Sequence, residues 1–508
     1  MDVACMKRLV STVCAAAVVC AVLAGCGGND IADSSRLTGG TTTAYVSTVS
    51  VTVTDNKTTT AGQPSTAVPA TTVTPITSAP VTNLPTQTAT ASRTTTTPQV
   101  STALPPVTTT GSKDTSAPPV TMTRPSIISA PPSTTVTEIA GEPVITPNGR
   151  VWQPLVKSTV ADAPEKSWDK GIGCPSVIVL EHSGSKNGLI IAAYSVADSG
   201  LTGGRTSLRI ARSSDGGNTF VLAAKVYESL DTTIEACWNP HLFELPTRIG
   251  DMPEGTLLLA GGSIDPGQRR KSTISVWRSF DCGESWEQYS VVAEGGGIGD
   301  GVWEPFLFCE NGYLYCFYSD DATAKHSQSL VYKKSTDGKN WSEPYDMTAP
   351  DDYALRPGMI SIAKMGNGKF FSVYEVGSDK GGGVPVYYKI TDSPDSWDSK
   401  KLGKKLTAKN GQTCGSAPWC AWSPIGGECG TLVVSAKYGT GDNRLFVSYD
   451  YGETFELVEN PLNYPNENGY GYSASLFFPS DGKTLYYANT TDNGKGKARI
   501  EFAKIRIS

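Results

Sequence analysis

A short pattern, one residue followed by proline and then an apolar run, recurs through the C-terminal part of the chain. Its clearest copy is WEPFLF, starting at Trp303. The others are CPSVIVL from Cys174, NPHLFEL from Asn239, RPGMISI from Arg356, APWCAWS from Ala417 and, with the proline lost, YSASLFF from Tyr472. Successive prolines stand 65, 65, 52 and 61 residues apart. Each copy is followed by a turn and further runs rich in β-branched and aromatic residues, which reads as a meander of three or four antiparallel strands. Units of this length cannot bury their apolar faces alone and pack around an axis instead. Six copies predict an all-β, six-bladed β-propeller.

Composition divides the chain into three parts. Lys7 and Arg8 precede an apolar run from Leu9 that closes on Leu23-Ala24-Gly25-Cys26. This resembles a bacterial lipoprotein signal over residues 1–26, in which Cys26 is acylated and becomes the new N-terminus. Residues 27–148 are dominated by Thr, Ser, Pro, Val and Ala, with Tyr45 the single aromatic residue. Such a stretch buries too little surface to offset chain entropy, so a disordered linker is expected. About 115 such residues reach from roughly 60 Å as a coil to roughly 350 Å extended. The expected role is a stalk that lifts a head domain, residues 149–508, off the outer face of a bacterial cytoplasmic membrane.

That head holds all ten tryptophans and eight of the twelve cysteines. Strand material around 151–156 is available to complete the last blade beside 498–507 and so close the ring, leaving no exposed sheet edge at the junction. An exported chain can form disulfides. Cys309 and Cys316 nevertheless flank a two-residue turn, Asn311-Gly312, that pairs 310 with 313 and leaves the two sulfurs diagonal; no bridge is expected there.

A second repeat is interleaved with the first. Ser213 to Phe220, Ser279 to Trp286 and Ser448 to Phe455 fit Ser-x-Asp-x-Gly-x-Thr/Ser-aromatic; Ser335 to Trp341 is one residue shorter, and Asp392 to Trp397 is a decayed copy. These resemble the Asp boxes of sialidase-like propellers. The carboxylate is expected to accept N–H groups of its own turn, the glycine to take a positive φ, and the aromatic ring to enter the blade. These aspartates are therefore structural, and no metal or cofactor is expected.

Strand direction separates the two repeats. If each first strand starts at one face of the ring, the residues before the prolines and those ending the second strands share that face, while the Asp-box turns lie on the other. The innermost strands then line the channel mouth with Cys174, Asn239, Glu304, Arg356, Ala417 and Tyr472. Glu304 and Arg356 belong to adjacent blades, and Glu375 ends the second strand of the fourth. Two carboxylates across a pocket suit cleavage of a glycosidic bond: one protonates the leaving oxygen and the other attacks the anomeric carbon. Glu304 is expected to have the higher pKa, through burial against Trp303 and the charge of Glu375, and Glu375 to stay ionised beside Arg356 and a tyrosine.

WEPFL, RPGM with its apolar run, and the VYE that ends at Glu375 resemble glycoside hydrolase family 93, exo-acting arabinanases of the sialidase-like superfamily, over the head domain only. The resemblance implies hydrolysis of α-1,5-linked L-arabinan with release of arabinobiose and retained configuration. It implies Glu304 as acid/base, Glu375 as nucleophile, and Tyr470 or Tyr472 beside the nucleophile. Arg356, Asn239, His241, Trp238, Trp303 and Trp419 are the candidate substrate contacts, and Trp422 is a further tryptophan able to stack on a sugar. Two other readings fit the repeats. A sialidase would hold its substrate carboxylate with three arginines, the first at the position of Cys174, and only Arg356 is an arginine among the six. A non-catalytic sugar-binding propeller would use the tryptophans alone. The formal charge of −6 argues against nucleic acid and suits a neutral polysaccharide; membrane contact is expected through the lipid only, and the head is expected to be a monomer.

Overall fold

The computed structural model describes residues 141–508 apart from 165–170, 198–205, 228–235, 265–270, 297–298, 323–325, 438–443 and 463–470. The expected lipid-bearing Cys26, nearly all of the linker and Tyr470 lie outside the described residues.

The described chain forms a six-bladed propeller of antiparallel four-stranded meanders, with one short 3-10 turn at Gly184–Lys186 and no α-helix. The first strands of the blades are Ile172–Val179, Ala236–Glu244, Val302–Glu310, Leu355–Lys364, Trp419–Ser423 and Ser475–Phe477. Apolar side chains pack between neighbouring blades, as Leu258, Val276, Leu307 and Leu314 do between the second and third, and Phe371, Tyr388, Leu432 and Phe446 between the fourth and fifth. Burying both faces of every sheet is the main driving force for closing the ring.

Closure uses the expected strand. Val151–Asp162 pairs with Ala498–Arg506 and supplies the outer strand of the last blade. The sheet also begins before the expected end of the linker at Asn148: Val144–Ile145 pairs with Val151 and Trp152 as a short outermost strand.

The Asp boxes form the turns between third and fourth strands. In the first, Asp215 accepts hydrogen bonds from the Ser213 hydroxyl, the Thr219 N–H and the Thr219 hydroxyl, and the Gly217 N–H donates to Ser213 Oγ. Asp281, Asp337 and Asp450 repeat the arrangement. Hydrogen bonds to the ionised form outweigh partial burial and hold Asp215, Asp281 and Asp450 below the usual carboxylate range. The glycines take the positive φ expected, +98° at Gly217 and +85° at Gly283.

At the opposite face each blade has a non-glycine residue of positive φ at its ring position, Cys174, Asn239, Glu304, Met359, Ala417 and Ser473, between +44° and +60°, and in the fifth blade the preceding Ser416 shares it at +65°. In the first four blades it lies in a bulge of the first strand. Such φ values are uncommon away from glycine and persist only where the surroundings over-determine them. They also correct the register of two repeats. The ring position of the fourth blade belongs to Met359, three residues after Arg356, and that of the sixth to Ser473, one residue after Tyr472. The innermost strand is a sheet edge facing the channel, so proline is tolerated at several places along it and marks the strand without fixing the bulge.

Two residues beyond the ring position, a side chain ties each of four blades to the next. Ser176 accepts the Leu242 N–H, His241 Nδ1 the Leu307 N–H, Ser361 the Cys420 N–H and Ser475 the Val177 N–H. The eight cysteines of the head are all free thiols, and Cys309 stands opposite Leu314 as the turn geometry requires.

Candidate active site

Glu304 stands at the bulge between Trp303 and Phe306, where its φ of +60° belongs to the ring of positive-φ residues at the channel mouth. Its Oε2 accepts the Ser319 hydroxyl at 2.7 Å and the Met359 N–H at 2.9 Å, and Ser319 is carried opposite Trp303 on the next strand. Glu375 lies on Phe370–Ser378 opposite Gly358. Its Oε2 accepts the Ala417 N–H at 2.6 Å, and the Ser416 hydroxyl also bonds the carboxylate. Gly358 separates the two acids. A Cβ there would stand 3.2 Å from Glu304 Oε2 and 2.7 Å from Gln328 Nε2, so only glycine leaves room for the carboxylate. The two glutamates therefore share one face and one pocket, despite the long sequence between them.

Both carboxyls lie deep in the mouth yet keep an open side, and both have raised pKa values. For Glu304 the chief cause is burial, opposed by Ser319, the Met359 N–H and Arg356. For Glu375 burial comes first and the charge of Glu304 second, opposed by the Ala417 N–H, Ser416 and Lys437, and the result is about 7. Two buried acids this strongly linked titrate as a pair and hold one proton between them near neutral pH. Among the charges, Arg356 pulls Glu304 down, while Glu304 pushes Glu375 up against the pull of Lys437.

Arg356 is a strut. Its guanidinium donates to Ser327 O and Oγ, to Gln328 Oε1 at 2.7 Å and to Asp321 Oδ2 at 3.3 Å, with Asp379 at 3.9 Å. Asp321 also accepts from the Gly301 N–H and the Trp303 indole. Burial pushes Asp321 up to about 6 against the pull of Arg356. These bonds fix the wall behind Glu304, and they occupy the group that was expected to contact substrate.

The pocket at Glu304 is lined by Asn239, Pro240, Met359, Ile360, Pro418 and Ser473, with Phe306 and Trp419. Asn239 Oδ1 is buried there with no hydrogen-bond partner, an acceptor for a sugar hydroxyl. Trp238 and Trp303 pack together with Ile264 beside the mouth. Trp419 donates its indole N–H to Leu476 O, and its ring centroid lies 5.7 Å from Phe306 and 5.5 Å from His241. His241 belongs to this floor: its Nδ1 is taken by Leu307, and burial drives its pKa down to about 3, so it is a neutral strut beneath the sugar site. Trp422 lies toward the other end of the fifth blade and donates to Cys429 O. Tyr472 reaches back across the mouth, its hydroxyl 3.7 Å from Met359 Sδ. The Cys174 thiol, pushed to about 12 chiefly by burial, is bonded to Ser473 and is chemically quiet. A larger cavity of about 350 Å³ opens beyond the floor. There Glu181 bonds Ser480, and Glu244 bonds the 181–183 turn, so its acids serve to join blades.

Residues 255–505 match the BNR repeat-like domain family. Among solved structures, the α-L-arabinanase of Penicillium chrysogenum complexed with arabinobiose is 29% identical, with a TM-score of 0.61, over 70% of this chain and 98% of that one. A family-93 α-L-arabinofuranosidase of Fusarium graminearum, also complexed with arabinobiose, is 29% identical with a TM-score of 0.60, over 69% of this chain and 97% of its own. Over its head domain the chain is thus similar to a glycoside hydrolase of family 93. No curated protein sequence matches it. Its paired glutamates lie where a propeller places a ligand, at the axial mouth, and none of its six ring residues is an arginine. Sequence reasoning missed Ser319, Ser416, Met359 and Lys437. Lys437 follows the second strand of the fifth blade, Thr431–Ser435, and its N–H donates to Ser416 O.

Proposed function

We propose that this protein is an exo-acting α-1,5-L-arabinanase that releases arabinobiose with retained configuration. The observation that carries the reading is the buried pair itself, Glu304 and Glu375 on either side of Gly358, in a chain similar to an arabinanase and an arabinofuranosidase that are each complexed with arabinobiose. Glu375 attacks the anomeric carbon, and Glu304 passes the shared proton to the leaving glycosidic oxygen. Both bonds of Glu304 fall on Oε2, which leaves Oε1 to carry that proton. Glu304 then takes a proton from water as the water attacks the glycosyl-enzyme ester, freeing Glu375 and restoring the original configuration. The ionised nucleophile is supported by the Ala417 N–H and Ser416. Trp419, Trp238 and Trp303 supply apolar surface for the furanose rings, and Asn239 an acceptor.

The same reading places the enzyme outside the cell, tethered through Cys26 and the Thr/Ser/Pro-rich segment, which suits a substrate too large to cross a membrane. A sialidase is disfavoured because Cys174 stands where the first carboxylate-binding arginine would be, and Arg356 is occupied by Asp321, Ser327 and Gln328. The deciding experiment is incubation of the purified head domain with debranched arabinan and with sialosides, analysing products by chromatography and anomeric configuration by NMR. Arabinobiose of retained configuration is expected; free sialic acid, or an inverted product, overturns the reading.

A further inference from the structure

Phe306 and Trp419 line the pocket at Glu304, and the same two residues line the cavity of about 350 Å³ beyond it. The innermost strands of all six blades border that cavity, so it lies on the axis of the ring, on the far side of this layer from the two acids. Neither Glu304 nor Glu375 lines it. Its volume falls at the small end of ligand pockets, which run from about 300 to 1,000 Å³, and suits one or two sugar rings.

The walls are apolar, and Phe243, Phe308, Phe477 and Trp422 among them are half-buried. His241 lines the cavity too, only 5% exposed, its ring centroid 4.2 Å from that of Phe306 and 5.5 Å from that of Trp419. Nδ1 of His241 accepts the Leu307 N–H at 3.1 Å, so Nε2 carries the ring hydrogen. Among the described residues nothing accepts that hydrogen. A donor left without a partner inside a protein is costly, and an oxygen atom placed in the cavity removes that cost.

The rim selects the kind of molecule. Glu181 accepts the N–H and hydroxyl of Ser480, and Glu244 accepts the N–H groups of Glu181 and His182 and the Ser183 hydroxyl; neither carboxylate has an ion-pair partner among the described residues. Lys364 and His182 are already bonded to Glu310 and Glu254. The rim is therefore negative, which repels anions. A cation is disfavoured as well: the inner end offers a donor, the carboxylates are turned to the donors of their own turns, and no group of three acids, histidines or cysteines able to hold a metal occurs among the described residues. What fits is a neutral molecule with C–H faces for the aromatic walls, an acceptor for His241 and hydroxyls for the remaining carboxylate lone pairs. A sugar carries all three on one ring.

We propose that this axial cavity is a second binding site, for a neutral sugar of one or two rings, seated against Phe308 and Trp422 with one oxygen on the His241 Nε2–H. The sugar is held there and not cleaved, since Glu181 and Glu244 are spent on their own turns. The choice of L-arabinose and arabinobiose as its sugars rests on the reading of the protein as an arabinanase; the site itself rests on the cavity and the unpaired donor.

The test is fluorine NMR of the full-length Glu375→Ala protein labelled with fluorotryptophan and titrated with L-arabinose and with arabinobiose. Trp422 reports the cavity and Trp303 the catalytic mouth, each signal assigned by a single replacement with phenylalanine. The Trp422 signal is expected to shift with a Kd of about 1 to 10 mM, on a binding curve separate from that of Trp303. His241→Asn keeps a side-chain oxygen for the Leu307 N–H and removes the second donor, and should weaken the Trp422 response about fivefold. Phe308→Ala should weaken it about tenfold and leave the Trp303 response in place. A Trp422 signal unmoved by about 100 mM of either sugar overturns the proposal, because such a site would be too weak to count as one. So does a shift that follows the Trp303 curve in the parent and in both variants, which would be transmitted from the mouth. Failure of the arabinanase reading is distinguishable: the Trp303 signal would then stay unmoved by arabinobiose, whatever Trp422 does.

Discussion

Replacing Glu375 by glutamine should stabilise the head domain, and only at higher pH. The folded protein raises the Glu375 carboxyl from 4.5 to about 7. A carboxyl raised on folding contributes stability below its unfolded pKa, and that contribution is lost as pH rises through the folded value. Above pH 8 the folded state is left with a charge it solvates poorly. At about 1.4 kcal/mol per pH unit the cost is at most about 3 kcal/mol, and about 2 once water on the open side of the carboxylate is allowed for. Glutamine keeps an oxygen for the Ala417 N–H at similar geometry and carries no charge. For a head of roughly 360 residues the unfolding entropy is about 0.8 kcal/mol per degree, so the variant should melt about 3 °C higher than the parent at pH 8. The two melting temperatures should converge near pH 4.5. The assay is thermal unfolding by tryptophan fluorescence across that range, with activity measured alongside to verify the loss of turnover. Equal melting temperatures at pH 8 would mean that the carboxyl is not desolvated, and the argument for a shared proton would fail with it.

Glu304→Ala should lose at least a hundredfold in rate on arabinan yet keep activity on aryl arabinosides with good leaving groups, with azide restoring turnover; absence of azide rescue in a folded variant counts against Glu304 as acid/base. Removal of residues 1–140 should leave a soluble, fully active head, checked by melting and kinetics. Cutting further, to Gly149, removes the outermost strand Val144–Ile145 and should lower the melting temperature slightly without changing kcat. Cys26→Ala should abolish membrane retention and leave catalysis unchanged; a variant that still sediments with membranes after alkaline washing refutes the lipid anchor.

Much of this protein was legible because its information is local and repeated. The Asp boxes each carry within eight residues the hydroxyl, carboxylate and glycine that build the turn, so their structural role and their face of the ring could be read directly. Strand count, blade number and closure followed from periodicity, and Glu304 and Glu375 from strand direction. The tertiary structure decided what depends on register and on neighbours from other blades. A proline on an inner edge strand does not fix the bulge, and so Arg356 was placed on the ring where Met359 stands, and Tyr472 where Ser473 stands. Arg356 turned out to be held by Asp321, Ser327 and Gln328, and His241 by the Leu307 N–H, partners that come from another part of the chain. The proton balance of the glutamates was likewise beyond sequence. It is set by Ser319, Met359, Ser416, Ala417 and Lys437, groups brought within a few ångströms by ring closure, and Coulomb and desolvation energies depend on such separations and not on position in the chain.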